Sequence, residues 1–265
     1  MWRIISIYCK FNSFERTGMS DLFIIILGLC IGSFLNVVIY RLPTGGSVAW
    51  PPSACSQCGE RLKAKDLVPV FSWLWLKGRC RYCEEAVAWR YPAVELLTGV
   101  VFLSLWQLLG PGWQFIQGAV LASILIVITF TDLDHRIIPD KIVLFGFLCG
   151  LPLLWLAGAP APLAAALGVI AGALPLFLLA VLTNGMGGGD VKLVGMLGLY
   201  LGWPQVLLMV FLAAVLGAIV GLSLMAAGKI KRKEPIPFGP FLAVAAMAAY
   251  LGGDHLIFWY LALFL

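Results

Sequence analysis

A succession of apolar stretches, each about as long as a bilayer is thick, constrains this chain more than any other feature of its sequence. A transmembrane helix needs about 20 consecutive, mainly apolar residues, so runs of this length predict membrane-spanning helices. Glycine, proline or charged residues separate one run from the next. The predicted spans are 22–40, 92–109, 114–131, 141–158, 162–182, 191–203, 204–227 and 238–252, and an apolar tail covers 255–265.

Composition excludes an ordinary water-soluble domain. Of the 265 residues, 62% are hydrophobic and only 12% are charged, and the mean hydropathy is +0.98. A typical soluble protein carries about 25% charged residues. We therefore predict an all-α membrane protein, a polytopic helical bundle of about eight transmembrane spans in contact with the lipid bilayer.

The basic residues predict the orientation of these spans. All 15 Lys and Arg residues after position 40 lie in connections between spans, eight of them within 41–90. Because cytoplasmic loops carry an excess of Lys and Arg, these connections are expected to face the cytoplasm. The net charge of +5 is thereby explained by topology and lipid contact, and no nucleic-acid partner is expected.

The first 18 residues do not fit this pattern. They bring Arg3, Lys10 and Arg16 to the side that is expected to be poor in basic residues. Met19 is followed by Ser-Asp and then by the first span. We hypothesise that translation starts at Met19 and that 1–18 is an over-extended N-terminus, which detection of Met1 in the intact mass of the natively expressed protein would refute.

Four cysteines lie in two CxxC pairs within the connection between the first two spans. Each pair directs two thiolates to one point, and four thiolates complete a tetrahedral zinc site with no open position. The 21 residues between the pairs are one more than the usual spacing. We predict a zinc-ribbon-like cytoplasmic insertion with a structural zinc ion; paired disulfides and a redox-active CxxC are the alternatives. The predicted ligands are Cys55, Cys58, Cys80 and Cys83.

Two aspartates at the expected cytoplasmic ends of spans are the candidate catalytic groups. Asp132 lies in TDLDHRIIPD, after the third span, and Asp190 follows GMGGG, before the sixth. Two carboxylates that share one proton can activate a water molecule and hydrogen-bond a scissile carbonyl, which is the chemistry of an aspartic protease. For Asp190, a role as a helix N-cap is the alternative.

The neighbouring residues are given other roles. Asp134, two positions from Asp132, is expected on a different helix face, as a solvated or orienting group. Asp140 precedes an apolar run and is interpreted as a helix N-cap. Glycines 187–189 remove side-chain bulk where a backbone or a substrate strand approaches. GMGGGDVKL lacks the GK[ST] ending of a phosphate-binding loop, so no nucleotide site is predicted there.

These segments together resemble the bacterial type IV prepilin peptidases, integral-membrane aspartic proteases of the GxGD type. The resemblance implies that Asp132 and Asp190 are the catalytic pair, since they match the DxxxxxxP and GxGD elements. The chain departs from the family at residues 1–18 and at Ser56, where many members have proline. The matching segments are GSFLNVVIYRLP at 32–43, the CxxC pairs, RYPAVELLTG at 90–99, TDLDHRIIPD, GMGGGDVKL and PIPFGPFLA at 235–243.

The resemblance also implies a substrate and a second activity. Family members remove the short basic leader of type IV prepilins and of related pseudopilins of type II secretion, on the cytoplasmic side of the inner membrane and after a glycine. Many then methylate the new N-terminal residue, usually phenylalanine, with S-adenosylmethionine as methyl donor. The cysteine-bearing loop is typical of the bifunctional members, and the sequence assigns no residues to the methyl donor.

The expected organisation after Met19 is a first span at 19–40, a cytoplasmic zinc-binding loop at 41–91 and a transmembrane aspartic peptidase core at 92–265. A proton-coupled membrane transporter that uses the aspartates as a relay is the alternative function. The clustering of the acids at one membrane face disfavours it. A zinc-binding scaffold without catalysis would need neither aspartate, and presenilin-like proteases carry a PAL element where this chain has PFGP.

Overall fold

The computed structural model describes residues 18–183, 187–231 and 236–263. Most of these residues are helical, and β pairing among them is limited to two isolated bridges, which confirms the predicted all-α class. The hypothesis about residues 1–18 lies outside the described residues except for Gly18, where the first helix begins.

Nine α-helices follow one another in the described part of the chain. Seven of them are long and apolar enough to cross a membrane, so the protein is a multi-pass membrane protein. The helices are α1 (Gly18–Arg41), α2 (Phe71–Trp75), α3 (Arg90–Leu109), α4 (Trp113–His135), α5 (Asp140–Ala157), α6 (Pro162–Thr183), α7 (Gly188–Leu201), α8 (Trp203–Ala226) and α9 (Gly239–Ala262).

Every predicted span coincides with a helix; α7 is as short as its predicted run, and the last helix is longer than predicted. The helix α7 has 14 residues, about 21 Å, and is shorter than the hydrocarbon core of about 30 Å. It is therefore not among the seven spanning helices. At the end of the chain, the last predicted span and residues 255–262 of the apolar tail lie in one helix, because α9 continues through Gly252 and Gly253 to Ala262.

The chain divides into two compact units. Within the described residues, the first unit comprises 18–37 and 49–115, and the second comprises 38–48 and the remainder from 116 onward. The first therefore contains the cysteines of the CxxC pairs, and the second contains both candidate catalytic aspartates.

Glycines bring the two spanning helices of the first unit together. A Cβ atom on Gly28 of α1 would lie 2.7 Å from the Cα of Gly99 in α3, and one on Gly32 would lie 2.7 Å from the Cα of Glu95. Small residues four positions apart allow this close approach of membrane helices. The two backbones consequently pack without intervening side chains.

The second unit is built around the short helix α7. The residues of α7 from Leu193 to Leu201 are all buried, because α5, α6, α8 and α9 pack around it. The contact with α6 is the tightest: a Cβ atom on Gly198 would lie 2.2 Å from the carbonyl oxygen of Gly168. A helix that is apolar on all sides and enclosed in this way does not need the length of a bilayer.

Candidate active site and metal centre

Asp132 lies in the last turn of α4. This helix ends at His135, and Arg136 adopts a left-handed conformation (φ 54°) in which its N–H donates to the carbonyl oxygen of Asp132 at 2.9 Å. Asp132 is only 6% exposed, whereas Asp134 is exposed. The two aspartates of this segment thus have the different environments that the sequence predicts.

The first residue of α9 holds the carboxylate of Asp132. The N–H of Gly239 donates to Oδ2 of Asp132 at 2.7 Å. This donor belongs to the first turn of a helix, where N–H groups lack intrahelical partners and the helix dipole favours an anion. A Cβ atom on Gly239 would lie 2.8 Å from the same oxygen. The sequence alone assigns no role to Gly239; its signals are glycine before proline at the start of an apolar run and its place in the matching segment 235–243.

Asp190 lies at a second helix N-terminus, in the first turn of α7. The N-cap of this helix is Gly187, so the interpretation of Asp190 as the N-cap is wrong. The helix is not one of the seven spanning helices. Burial, followed by the charge of Asp132, raises the pKa of Asp190 to about 6, although the N–H of Gly187 bonds the carboxylate and opposes the change. The structure therefore brings the two carboxylates within electrostatic reach of each other.

The interpretation of Asp140 as an N-cap is wrong by one position. Pro139 is the N-cap of α5, and Asp140 is the first residue inside the helix. Its carboxylate oxygens instead accept hydrogen bonds from Nζ of Lys192, at 2.8 and 2.9 Å. Because Lys192 follows Asp190 by two positions in α7, this ion pair joins the starts of α5 and α7 beside the carboxylate pair.

The predicted close approach at the glycine-rich segment occurs at Gly189. A Cβ atom there would lie 3.1 Å from the Cβ of Ile138, in the connection between α4 and α5. At Gly188 an added Cβ would meet no described atom within 4 Å. Residues 184–186 of this segment lie outside the described residues.

The arrangement places two carboxyl groups where three helices of the second unit end or begin. A carboxyl group with a pKa of about 6 is protonated in a fraction of the molecules close to neutral pH. An ionised partner can then accept a proton. General acid–base attack of water on a carbonyl group requires one member in each form. The geometry is thus compatible with the aspartic-protease chemistry that the sequence predicts.

The four cysteines converge in the first unit. Their Sγ atoms all lie within 4.8 Å of one another, and those of Cys55 and Cys83 are 3.9 Å apart. Around a zinc ion with Zn–S bonds of about 2.3 Å, tetrahedral thiolates lie about 3.8 Å apart. All four thiols are free, and the geometry fits a four-coordinate metal ion.

The two CxxC pairs have the same local structure. The N–H of Cys55 donates to the carbonyl oxygen of Glu60 at 2.9 Å, and that of Cys80 donates to Glu85 at 2.8 Å. One antiparallel bridge closes each turn. Backbone N–H groups that point at the thiol lower the pKa of Cys55 to about 7, whereas the N–H of Glu85 is outweighed at Cys83, where burial and the neighbouring thiols raise the pKa to about 12. The bridges join Ala54 to Arg61 and Arg79 to Ala86.

Asp66 supports the second CxxC turn from outside. Its carboxylate accepts hydrogen bonds from Nε of Arg81 at 2.6 Å and from the hydroxyl of Tyr82 at 3.0 Å, the two residues between Cys80 and Cys83. The N–H of Lys63 also donates to it, at 3.1 Å. Burial opposes ionisation, but these donors and the charge of Arg81 outweigh it and lower the pKa of Asp66.

Comparison with known proteins matches both parts of the chain. The family model of the bacterial peptidase A24 N-terminal domain matches residues 26–108, and that of the type IV leader peptidase family matches 119–222. A prepilin leader peptidase/N-methyltransferase of Aeromonas salmonicida (strain A449) is 38% identical over 277 aligned positions, which cover 90% of this chain and 93% of that protein. The chain belongs to the type IV leader peptidase family.

Two further relatives of this chain carry the same name as the Aeromonas salmonicida protein. The protein of Aeromonas hydrophila is 36% identical, with 91% of this chain and 94% of its own length covered. That of Bacillus subtilis (strain 168) is 34% identical, with 89% and 96% covered. No solved structure matches. The resemblance inferred from the sequence motifs is thereby confirmed.

The two family regions divide the candidate residues of this leader peptidase. The four cysteines lie within the N-terminal match, and Asp132 and Asp190 lie within the second. Gly239 follows both matched regions, although its N–H contacts Asp132. Part of the candidate site therefore comes from a helix beyond the matched residues.

Proposed function

We propose that this protein is a membrane-embedded aspartic endopeptidase that removes the leader from type IV prepilins and pseudopilins. The pairing of buried Asp132 with Asp190 at the ends of three helices carries the proposal. Membership in the leader peptidase family and the names of its relatives support the reaction and the class of substrate.

In the proposed mechanism, Asp132 and Asp190 bind one water molecule and share one proton. The ionised carboxylate removes a proton from the water as its oxygen attacks the scissile carbonyl, and the protonated carboxyl donates to the carbonyl oxygen. The carboxyl group that took the proton from the water then gives it to the amide nitrogen as the C–N bond breaks. No covalent intermediate forms. The N–H of Gly239 occupies one oxygen of Asp132 and fixes its orientation. The pair titrates as a unit, so neither residue alone is the base.

The proposed location is the bacterial inner membrane, with the active site facing the cytoplasm. The aspartates are flanked by Arg136, in the connection after α4, and by Lys141 and Lys192, near the starts of α5 and α7, and basic residues are enriched on the cytoplasmic side. A substrate helix anchored in the bilayer would present the junction with its leader at this depth.

We propose zinc as the metal held by Cys55, Cys58, Cys80 and Cys83. Four thiolate ligands suit zinc and leave no position for a substrate or water. The ion would therefore stabilise the fold of the loop and take no part in peptide cleavage.

We further propose that the protein methylates the new N-terminal residue, usually phenylalanine. S-adenosylmethionine would supply the methyl group, and the names of the relatives support this activity. Among the described residues, β pairing is limited to two isolated bridges, so a glycine-rich loop after a strand does not identify a binding site. No residue is therefore assigned to the methyl donor.

Co-expression of a tagged prepilin with four forms of the protein tests the proposal. These are the wild type, Asp132→Asn, Asp190→Asn and the control Asp134→Asn, whose exposed carboxylate lies two positions from Asp132. Mass spectrometry of the pilin N-terminus reads cleavage and methylation together. The wild type and the control are expected to cleave and methylate, and the other two variants are expected to leave the leader in place.

Two results would contradict the proposal. Cleavage by both Asp132→Asn and Asp190→Asn would show that the catalytic assignment is wrong. An intact leader in the presence of the wild type would favour the transporter alternative. Resistance of the second unit to limited proteolysis and membrane insertion of each variant show whether a loss of cleavage comes from misfolding.

A further inference from the structure

The short helix α2, in the cysteine loop, exposes large apolar side chains on one face. Phe71, Leu74 and Trp75 are 67%, 58% and 84% exposed, and their spacing of three and four positions places them side by side. The other face is attached to the loop, because the indole N–H of Trp73 donates to the carbonyl oxygen of Val87 at 3.0 Å. One face of α2 is thus held by the protein, and the apolar face is uncovered.

A buried carboxylate sets the depth of α2 relative to the membrane. The N–H of Val70, the N-cap of α2, donates to Oε2 of Glu95 at 2.7 Å. Glu95 is 8% exposed and lies five positions after Arg90, where the spanning helix α3 begins. Five residues of helix extend about 7.5 Å, comparable with the interfacial layer of about 5–8 Å on each side of the hydrocarbon core. The start of α2 therefore lies at the level of the lipid headgroups.

The backbone at Val70 indicates that this attachment is specific. Val70 has φ 63° and ψ −51°, a conformation that a β-branched residue rarely adopts. Such strain persists only where the surrounding structure enforces it. Glu95 also accepts a hydrogen bond from the side chain of Ser33 in α1. One carboxylate therefore connects α2 to both spanning helices of the first unit.

The residues around α2 have the composition of a membrane-surface segment. Leu67 and Val68, 42% and 45% exposed, are further uncovered apolar residues shortly before α2 in the chain. Trp and Phe are favoured at the membrane interface, and basic residues beside them bind anionic headgroups. The flanking basic residues are Lys63, Lys65, Lys77 and Arg79.

We propose that α2 is an interfacial anchor, which inserts its apolar face into the headgroup layer of the bilayer at a depth set by Glu95. The inserted face consists of Phe71, Leu74 and Trp75. The partner is the lipid itself, with anionic headgroups near the basic residues. This anchor holds the cysteine loop on the membrane surface and is independent of the proposed peptidase activity.

Photo-cross-linking from position 75 tests the anchor. Benzoylphenylalanine replaces Trp75 in the full-length protein, which is reconstituted into vesicles of phosphatidylethanolamine and phosphatidylglycerol. The matched control carries the same probe at Gln57, an exposed residue of the first CxxC turn. After irradiation, mass spectrometry is expected to find at least fivefold more phospholipid adduct at position 75. Equal yields at the two positions, or adducts at position 75 that are mainly to protein, would overturn the proposal.

A second pair of variants tests the role of Glu95. Glu95→Gln keeps a carbonyl oxygen that can accept from Val70, and the lipid adduct at position 75 is expected to stay at the wild-type level. Glu95→Ala removes the acceptor, and the adduct is expected to fall at least threefold while the zinc content is unchanged. Equal adducts in the two variants would show that Glu95 does not set the depth. The comparison of positions 75 and 57 stands even if Glu95→Ala does not fold.

Discussion

The two units of the protein build their candidate sites in opposite ways. In the first unit, each CxxC turn is a local structure closed by its own backbone hydrogen bonds, and the outermost cysteines are 28 positions apart. In the second, the contact between Asp132 and Gly239 joins residues 107 positions apart, and only the packing of long helices brings them together. The first site is a local cluster of thiols for which we propose a metal ion, and the second depends on helix contacts.

This difference gives the two sites different vulnerabilities. A loop of this kind buries little apolar surface by itself, so metal binding supplies much of its folding free energy. The aspartate site has no such local support, and an error in helix packing far from the carboxylates should displace them. Loss of the metal should therefore affect the first unit, and a change in helix packing should affect the second.

Loss of the metal should have the largest effect, and it should be confined to the first unit. Replacement of one proposed ligand by Cys80→Ser is expected to reduce the zinc content from one ion per chain to none, because a structural site needs all four ligands. The loop then loses the contribution of the metal to folding, since structural zinc binds with an apparent free energy of about 10–16 kcal/mol. Trypsin should then cut the loop between α1 and α3, while the second unit resists digestion. Metal analysis and limited proteolysis measure both effects.

Cys149→Ser, in α5 and outside the cysteine cluster, is the control and should retain zinc. A full zinc complement in Cys80→Ser would contradict the four-thiolate site. Digestion of the second unit as well would show that the two units do not fold separately.

A packing change should have the converse effect. In Gly198→Val, the new side chain would begin 2.2 Å from the carbonyl oxygen of Gly168, and separating α6 from α7 is expected to cost about 3 kcal/mol or more. Thermal unfolding of the second unit and prepilin cleavage should both be impaired, while zinc stays bound. Gly252→Ala, which would meet no described atom within 4 Å, should behave as wild type. Unchanged unfolding of Gly198→Val would contradict the α6–α7 contact.

The sequence predicts those features that depend on local pattern or on the membrane. Apolar runs identify the helices because every backbone N–H and C=O group inside a bilayer must be hydrogen-bonded, and a helix does this within a single segment. The CxxC spacing identifies the cysteine cluster because each turn is local. Asp132 and Asp190 are found because charged residues next to membrane spans are costly and therefore informative.

Contacts between distant segments could not be predicted in this way. Nothing in the local sequence pairs Asp140 with Lys192, 52 positions away, and a cap was the simpler interpretation. The same reason explains why Gly239 had no predicted role. The apolar run at 191–203 comes close to the length of α7, but its enclosure by neighbouring helices could not be predicted, because it depends on contacts between distant segments.

Gly239→Ala should impair catalysis without unfolding the second unit. The added methyl group would lie 2.8 Å from Oδ2 of Asp132, so the carboxylate must move. A displacement of this size is expected to lower kcat about 10- to 100-fold with little change in KM. In the matched variant Gly217→Ala, the nearest atom would be 3.5 Å away, on Phe241, and cleavage should be normal. Equal kcat values for the two variants would exclude a positioning role for Gly239.

Asp66→Ala should weaken the metal site moderately. The variant loses the hydrogen bonds that orient Arg81 and Tyr82 within the second CxxC turn, but all four ligands remain. Zinc affinity, measured by competition with a chelator, is expected to fall about tenfold, as for other groups that support metal ligands. Lys65→Ala is the control, because Lys65 is next to Asp66 in the single helical turn Ala64–Asp66. An affinity equal to that of the control would show that the turn needs no support from Asp66.

The smallest effects should come from the residue after each CxxC pair, where the two turns share a backbone conformation but differ in residue type. The residue after the second cysteine of each pair has positive φ: 72° at Gly59 and 60° at Glu84. Left-handed conformation costs a non-glycine residue about 1–2 kcal/mol, so Gly59→Ala should weaken zinc-dependent folding by about 1 kcal/mol. Glu84→Gly relieves the same strain but adds about 0.5–1 kcal/mol of chain entropy to be lost on folding, and should change stability by less than about 1 kcal/mol. Chelator competition distinguishes the two variants. Equal losses of zinc-dependent stability in both would mean that the turns are not equivalent structures. The first unit would then need a non-local explanation, as the second does.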